Sequence, residues 1–69
     1  MRKELTFTFE SEILAQLFVD RLKLYMKLEP LRVDIHVSVV VNTSRIPELE
    51  RLARGSYASF KLEKDIPRG

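Results

Sequence analysis

The segment from Ser11 to Leu28 constrains the fold most strongly, because its apolar residues repeat with a helical period and cover too much of the helix surface. Placed at about 100° per residue, they sweep an arc of roughly 240°. The apolar positions are Ile13, Leu14, Ala15, Leu17, Phe18, Val19, Leu22, Leu24, Tyr25, Met26 and Leu28. A helix that rests on one sheet needs a stripe only a little over about 100° wide. This helix therefore has apolar surface for two contacts, and one of them need not be with its own chain.

The size of the chain points the same way. With 69 residues it forms one small domain (1–69), near the lower limit for folding alone. It has no cysteine, which excludes disulfides and thiolate metal sites, and a single histidine, His36, does not make a metal site. We expect no cofactor and no metal, so oligomerisation is the remaining means of stabilising so small a domain.

The charge balance argues against a dedicated nucleic-acid or membrane protein. The net charge is only +2, from 12 basic and 10 acidic residues. No apolar run approaches the roughly 18 residues that span a bilayer, and the N-terminal residues do not resemble a signal peptide. We therefore expect a cytoplasmic location. A charged fraction of 32% without cysteine is typical of thermophile proteins.

Two stretches alternate as β-strands do. Leu5, Phe7 and Phe9 alternate with polar residues, and Ser11 follows as a helix N-cap. Residues 31–42 alternate without interruption, which favours one long strand, although a much shortened hairpin remains open. A strand of that length extends beyond its partner and leaves an unpaired edge that invites a second chain. The dimer interface expected there consists of Val33, Ile35, Val37 and Val39.

The C-terminal part allows two interpretations. A second helix begins near Ser44, with Pro47 in its first turn. One apolar arc contains Ile46, Leu49, Leu52, Ala53, Ser56, Tyr57 and Phe60. Either the helix continues through this arc, or it ends at Gly55 and residues 57–62 form a strand. We expect a frayed tail at 64–69. The predicted fold class is α+β with two layers: a small β-sheet and two helices packed on one of its faces, in β-α-β(β)-α order. We expect dimerisation to extend the sheet.

Two strings of the sequence resemble a known family. They are FTFESEILA, from Phe7 to Ala15, and VVVNTSRIPELERLARGSYASFKLEKDI further on. The chain resembles the Pcc-type small dimerisation subunit of KEOPS, the complex that makes threonylcarbamoyladenosine in transfer RNA, and above all a divergent member or archaeal paralogue. The matching positions are Phe7, Phe9, Ser11, Glu12, Ala15, Leu22, Leu49, Ser56 and Tyr57. The family has an aspartate where this chain has Arg45 and an arginine where it has Glu50. The resemblance also favours a helical C-terminal part.

The resemblance implies a use for the surplus apolar surface. Ala15, Phe18, Val19, Leu22 and Met26 form the half of the first helix that matches the family's core. The other half would dock the catalytic ATP-binding subunit of the complex, and it consists of Ile13, Leu14, Leu17, Arg21, Leu24, Tyr25 and Leu28. Arg51, Arg54 and Lys61 form a flank that would touch transfer RNA. The dimer would be a homodimer or a heterodimer with a paralogous subunit.

The sequence offers no set of catalytic residues. It contains no Ser-His-Asp arrangement, no paired carboxylate site and no Gly-rich phosphate loop. The prediction is therefore a non-catalytic adaptor. The alternative is a small nucleic-acid-binding α+β protein that uses its basic flank directly, which predicts tight, strongly salt-dependent binding by the isolated chain.

Overall fold

A four-stranded antiparallel sheet carries two helices on one face in the computed structural model, which describes residues 1–66. In chain order the elements are β1 (Arg2–Thr8), α1 (Glu12–Arg21), a π-helical turn (Leu22–Met26), β2 (Leu31–Val33), β3 (His36–Asn42), a 3-10 turn (Thr43–Arg45), α2 (Ile46–Gly55) and β4 (Phe60–Asp65). The strand order across the sheet is β2-β3-β1-β4. The α+β class is therefore confirmed, with one strand more than the expected order contains.

The junction between β1 and α1 follows the pattern read from the sequence. Leu5 and Phe7 are buried and point to the helices, while Thr6 and Thr8, which alternate with them, lie on the other face. Ser11 is the N-cap of α1, and its hydroxyl accepts a hydrogen bond of 3.2 Å from the backbone N–H of Leu14. This bond satisfies one of the donors that a helix start leaves without a partner.

Phe18 lies at the centre of the core, between the first helix and the sheet. Its ring packs edge-on against Phe7, with ring centres 5.2 Å apart at an angle of 73°. A second aromatic contact joins it to Phe9 at the same distance. Both arrangements are favourable for aromatic pairs. The rest of the core comes from alternate residues of β1 and β3, from Leu49 and Ala53 of α2, and from Ala15, Val19, Leu22 and Met26 of the first helix and its π-helical turn.

Residues 31–42 form a hairpin, so the expectation of one long strand is wrong. Val33 pairs with His36, and only Asp34 and Ile35 lie in the turn. Asp34 has a φ of 58°, a left-handed conformation that aspartate tolerates better than most residues and that tight hairpin turns require. Without a glycine to mark it, this two-residue turn leaves the apolar alternation of the sequence unbroken.

The end of the first helix widens into the π-helical turn, which Lys27 closes with a left-handed φ of 56°. The backbone N–H of Lys27 donates to the carbonyl of Leu22. Arg45 donates a hydrogen bond of 3.1 Å to the carbonyl of Met26 and thereby links this turn to the start of α2. The sequence placed the start of the second helix near Ser44. In the structure Ser44 lies inside the 3-10 turn that precedes α2, and α2 itself begins at Ile46.

The helix α2 ends where the alternative interpretation placed its end, and a strand follows. The N–H of Ala58 donates to the carbonyl of Ala53, and the N–H of Tyr57 donates to that of Arg54. This pair of bonds is a Schellman motif, in which Tyr57 takes the left-handed position with a φ of 66°. The chain then reverses into β4, which pairs with β1 as far as Asp65.

Two expectations for the C-terminal part are corrected by this ending. The resemblance favoured a continued helix, but residues 60–65 are a strand because the Schellman motif turns the chain back towards β1. The frayed tail was expected from Lys64, but Lys64 and Asp65 belong to β4. Positions 67–69 of that predicted tail lie outside the described residues.

Candidate functional site

The first helix is divided into a buried half and an exposed half, as its sequence suggested. All five residues assigned to the core half, Ala15, Phe18, Val19, Leu22 and Met26, are buried. On the opposite side Ile13 is 80% exposed, Leu24 61% and Tyr25 68%. Leu17 is 40% exposed and lies between them along the helix. Monomer packing therefore leaves four of the eleven apolar residues of the arc exposed.

We call Ile13, Leu17, Leu24 and Tyr25 the outer helix face. Positions 13, 17 and 24 fall within one narrow stripe at helical spacing, and Tyr25 adjoins it. The sequence assigned Leu14 and Leu28 to the same surface. In the structure both are half-buried and pack against the core, so they are not part of the outer helix face. Large apolar side chains that are exposed together on one helix face are typical of an interaction surface.

Arg21, also assigned to the partner surface, has a structural role within the chain. Its guanidinium donates a hydrogen bond of 2.9 Å to the hydroxyl of Ser56 and one of 3.3 Å to the carbonyl of Gly55. Ser56 is 1% exposed, and Arg21 provides a hydrogen-bond partner for its buried hydroxyl. A cation at this position also complements the partial negative charge at the end of α2. The charge that interrupts the apolar arc therefore holds the two helices together.

A groove between the two helices continues the outer helix face. Tyr25 and Arg21 line one side of it, and Leu52 and Arg51 line the other. Its volume is about 390 Å³, which is large enough for protein side chains of a partner. The groove and the outer helix face together form a surface on which apolar side chains and a tyrosine lie beside two arginines and Glu48. Aromatic and arginine side chains are enriched in protein interfaces.

The three residues expected to contact RNA do not form one cluster. Arg51 lines the interhelical groove, whereas Arg54 and Lys61 line a different groove between α2 and β4. Lys61 lies on the strand rather than on the helix, and it forms ion pairs with Glu50 and Glu63. Its hydrogen bond with Glu50 raises the pKa of Lys61 above the ordinary value of 10.5, with both carboxylates adding to that effect. The basic flank is therefore divided between two grooves, and the charged Lys61 is paired with carboxylates of its own chain.

The four residues assigned to the dimer interface are also separated. Val37 and Val39 are buried in the core of the monomer, Ile35 lies in the hairpin turn, and Val33 is 61% exposed. β3 lies between β2 and β1, but β2 pairs only with residues 36–38, so within residues 1–66 the same edge of residues 39–42 has no partner, as expected for part of this strand. Within residues 1–66, the open edges of the sheet belong to β2, to residues 39–42 of β3 and to β4.

The sequence analysis missed an apolar contribution on the open face of the sheet. Because the hairpin turn has two residues, odd positions of β2 face the same side as even positions of β3. Leu31 and Val33 therefore lie on the side away from the helices, 66% and 61% exposed. Phe60 and Leu62 of β4 lie on that same face, 60% and 58% exposed. Their alternation with charged residues was the available signal.

The described residues were also compared with the features of a membrane-spanning helix and of a metal site. No helix within residues 1–66 is long and apolar enough to cross a bilayer. Over the same residues, no three acidic, histidine or cysteine side chains lie together as metal ligands do. His36 is exposed on the open sheet face, where its ring nitrogen hydrogen-bonds the hydroxyl of Thr8 at 2.9 Å.

Comparison with family models, with curated proteins and with solved structures finds no match for this chain.

Proposed function

We propose that this chain is a non-catalytic, dimerising adaptor subunit of a KEOPS-like complex that supports threonylcarbamoyladenosine modification of transfer RNA in the cytoplasm. The proposal places the catalytic ATP-binding subunit on the outer helix face. The observation that carries it is the division of the first helix, whose core half is fully buried while Ile13, Leu24 and Tyr25 remain more than half exposed.

The arrangement of the elements supports the proposal further. The family that the sequence resembles has two strands joined by a turn between its helices, and β2 and β3 form such a hairpin here. The Phe7 and Phe9 positions of the matching motif are core residues, and Ser11 caps the first helix. The motif residues therefore serve the fold, and the outer helix face remains available for binding.

The divided basic flank weakens the alternative function of direct nucleic-acid binding. Arg51 and Arg54 line separate grooves, and Lys61 is engaged by Glu50. A protein that binds nucleic acid mainly through phosphate contacts needs several free cations on one surface.

Reconstitution with the catalytic subunit tests the proposal. We expect the chain to co-elute with that subunit in gel filtration and to raise the yield of threonylcarbamoyladenosine on transfer RNA. We expect Leu24→Glu to abolish both effects, and the neighbouring Lys23→Glu, on the polar strip of the helix, to preserve them. Failure of the wild-type chain to co-elute or to raise the yield would overturn the proposal. Tight, steeply salt-dependent binding of transfer RNA by the isolated chain would favour the alternative.

A further inference from the structure

The outer edge of β4 has no partner within residues 1–66, and its length and side chains allow it to pair with another strand. It is six residues long, against three in β2 at the other edge of the sheet. All six residues are exposed, including the large apolar side chains of Phe60 and Leu62. Natural proteins usually shorten or cover an exposed edge strand or place charges on it, because its backbone groups otherwise pair with another chain. β4 is neither short nor covered, and four of its six residues are charged, so the arrangement of those charges decides which strand it can pair with.

The charges on β4 allow this edge to pair with itself. Two identical antiparallel strands related by a two-fold axis perpendicular to the sheet place residues of equal parity opposite each other. Only two such registers pair five of the six strand residues, and they are centred on Leu62 and on Glu63. The register centred on Glu63 places that carboxylate opposite its own copy, which is unfavourable.

The register centred on Leu62 contains no like-charge pair. It places Lys61 opposite the Glu63 of the second copy, twice by symmetry, and Leu62 opposite the second Leu62. Phe60 then lies opposite Lys64, whose aliphatic stem can cover the ring. Lys61 already lies among carboxylates, within 3.9 Å of Glu63 in its own chain. The strand is therefore self-complementary in charge and in apolar content.

We propose that two copies of this chain join β4 to β4 in the register centred on Leu62, forming one continuous eight-stranded sheet with all four helices on the same side. This inference rests on the dimerising part of the proposed function and does not depend on the catalytic partner. It places Phe60 and Leu62 of both copies in one central apolar strip on the open face. The outer helix faces remain free, because they lie away from the β4 edge.

Charge reversal and mixing test this interface. Glu63→Lys places lysine opposite Lys61, and Lys61→Glu places glutamate opposite Glu63. In sedimentation velocity we expect a dimer for the wild type and a dimer dissociation constant at least about tenfold weaker for each variant alone. A mixture of the two variants restores opposite charges at all four positions, so we expect it to form a heterodimer. Lys64→Glu is the control: it changes the net charge as Lys61→Glu does, but residue 64 lies opposite Phe60 of the second copy, so we expect this variant to remain dimeric.

The possible results separate the interface from the wider proposal. If both charge variants remain as dimeric as the wild type, or if their mixture stays monomeric, the β4 interface is wrong while dimerisation itself can stand. If the wild type is a monomer, this inference and the dimerising part of the proposed function both fail. Docking of the catalytic subunit is measured separately and is unaffected by either result. Circular dichroism of each variant checks that the fold is retained.

Discussion

At the scale of single residues, the bond between Arg21 and Ser56 shows how a charge on an apolar helix face can be structural. We expect Arg21→Met, which keeps most of the side-chain stem, to lower the free energy of unfolding by about 1–3 kcal/mol, because it leaves the buried Ser56 hydroxyl without its partner. Urea unfolding measures this, with exposed Arg51→Met as the control, within about 0.5 kcal/mol of wild type. Adding Ser56→Ala to Arg21→Met should recover part of the loss. Equal effects of the two arginine substitutions would contradict the structural role.

The backbone conformation of Tyr57 lowers the stability of the fold. Its φ of 66° is a conformation that glycine adopts freely and other residues do not. We expect Tyr57→Gly to raise the free energy of unfolding by about 1 kcal/mol, since the side chain is exposed and loses little packing. Thermal unfolding measures this change. Tyr57→Ala keeps the Cβ atom and should give no comparable gain in stability in the same measurement. A gain of equal size from alanine would show that the aromatic ring, not the backbone, is responsible.

At the scale of elements, the two outer strands differ from the two inner ones. β1 is paired on both sides and β3 is paired with β1 over its whole length and with β2 over residues 36–38; both supply the core, whereas β2 and β4 are edges. We expect amide hydrogen exchange, followed by NMR, to be slowest in β1 and β3 and much faster in β2 and around Asp34. Protection that runs evenly from Leu31 to Asn42 would contradict the hairpin and restore the single long strand.

The attachment of β4 to α2 depends on pH through Lys61. Because the hydrogen bond with Glu50 raises the pKa of Lys61 in the folded chain above 10.5, the bond stabilises the fold fully at lower pH. That stabilisation disappears as the pH rises through the raised value. We expect the small difference in unfolding free energy between wild type and Lys61→Met to be constant near neutral pH and to shrink above pH 10.5. A difference that grows with pH would contradict this account.

At the scale of the whole molecule, periodicity was a sound guide wherever one face of an element packs on the core. The buried half of the first helix, the burial of Leu5 and Phe7 and the cap at Ser11 could all be predicted, because each follows from local spacing. The hairpin could not, since the turn at Asp34 lacks glycine and keeps the alternation intact. The choice between helix and strand after Gly55 depended on pairing with β1, a distant contact that periodicity does not report.

The candidate site was predictable to a similar extent. The exposure of Ile13, Leu24 and Tyr25 followed from the surplus of apolar residues on one helix. The role of Arg21 did not, because it requires the end of α2 to lie beside the first helix. The dimer surface expected on Val37 and Val39 was wrong because both side chains are buried in the core of the monomer. The basic flank was divided because Lys61 belongs to a strand.

The central claim is that the outer helix face binds the catalytic subunit and contributes little to folding. Isothermal titration calorimetry of the wild type and Leu17→Glu against that subunit tests it most directly, with urea unfolding of the same samples. We expect Leu17→Glu to weaken binding by at least about 2 kcal/mol, roughly thirtyfold, while the free energy of unfolding changes by less than about 1 kcal/mol. Unchanged affinity in a folded Leu17→Glu variant would contradict the account.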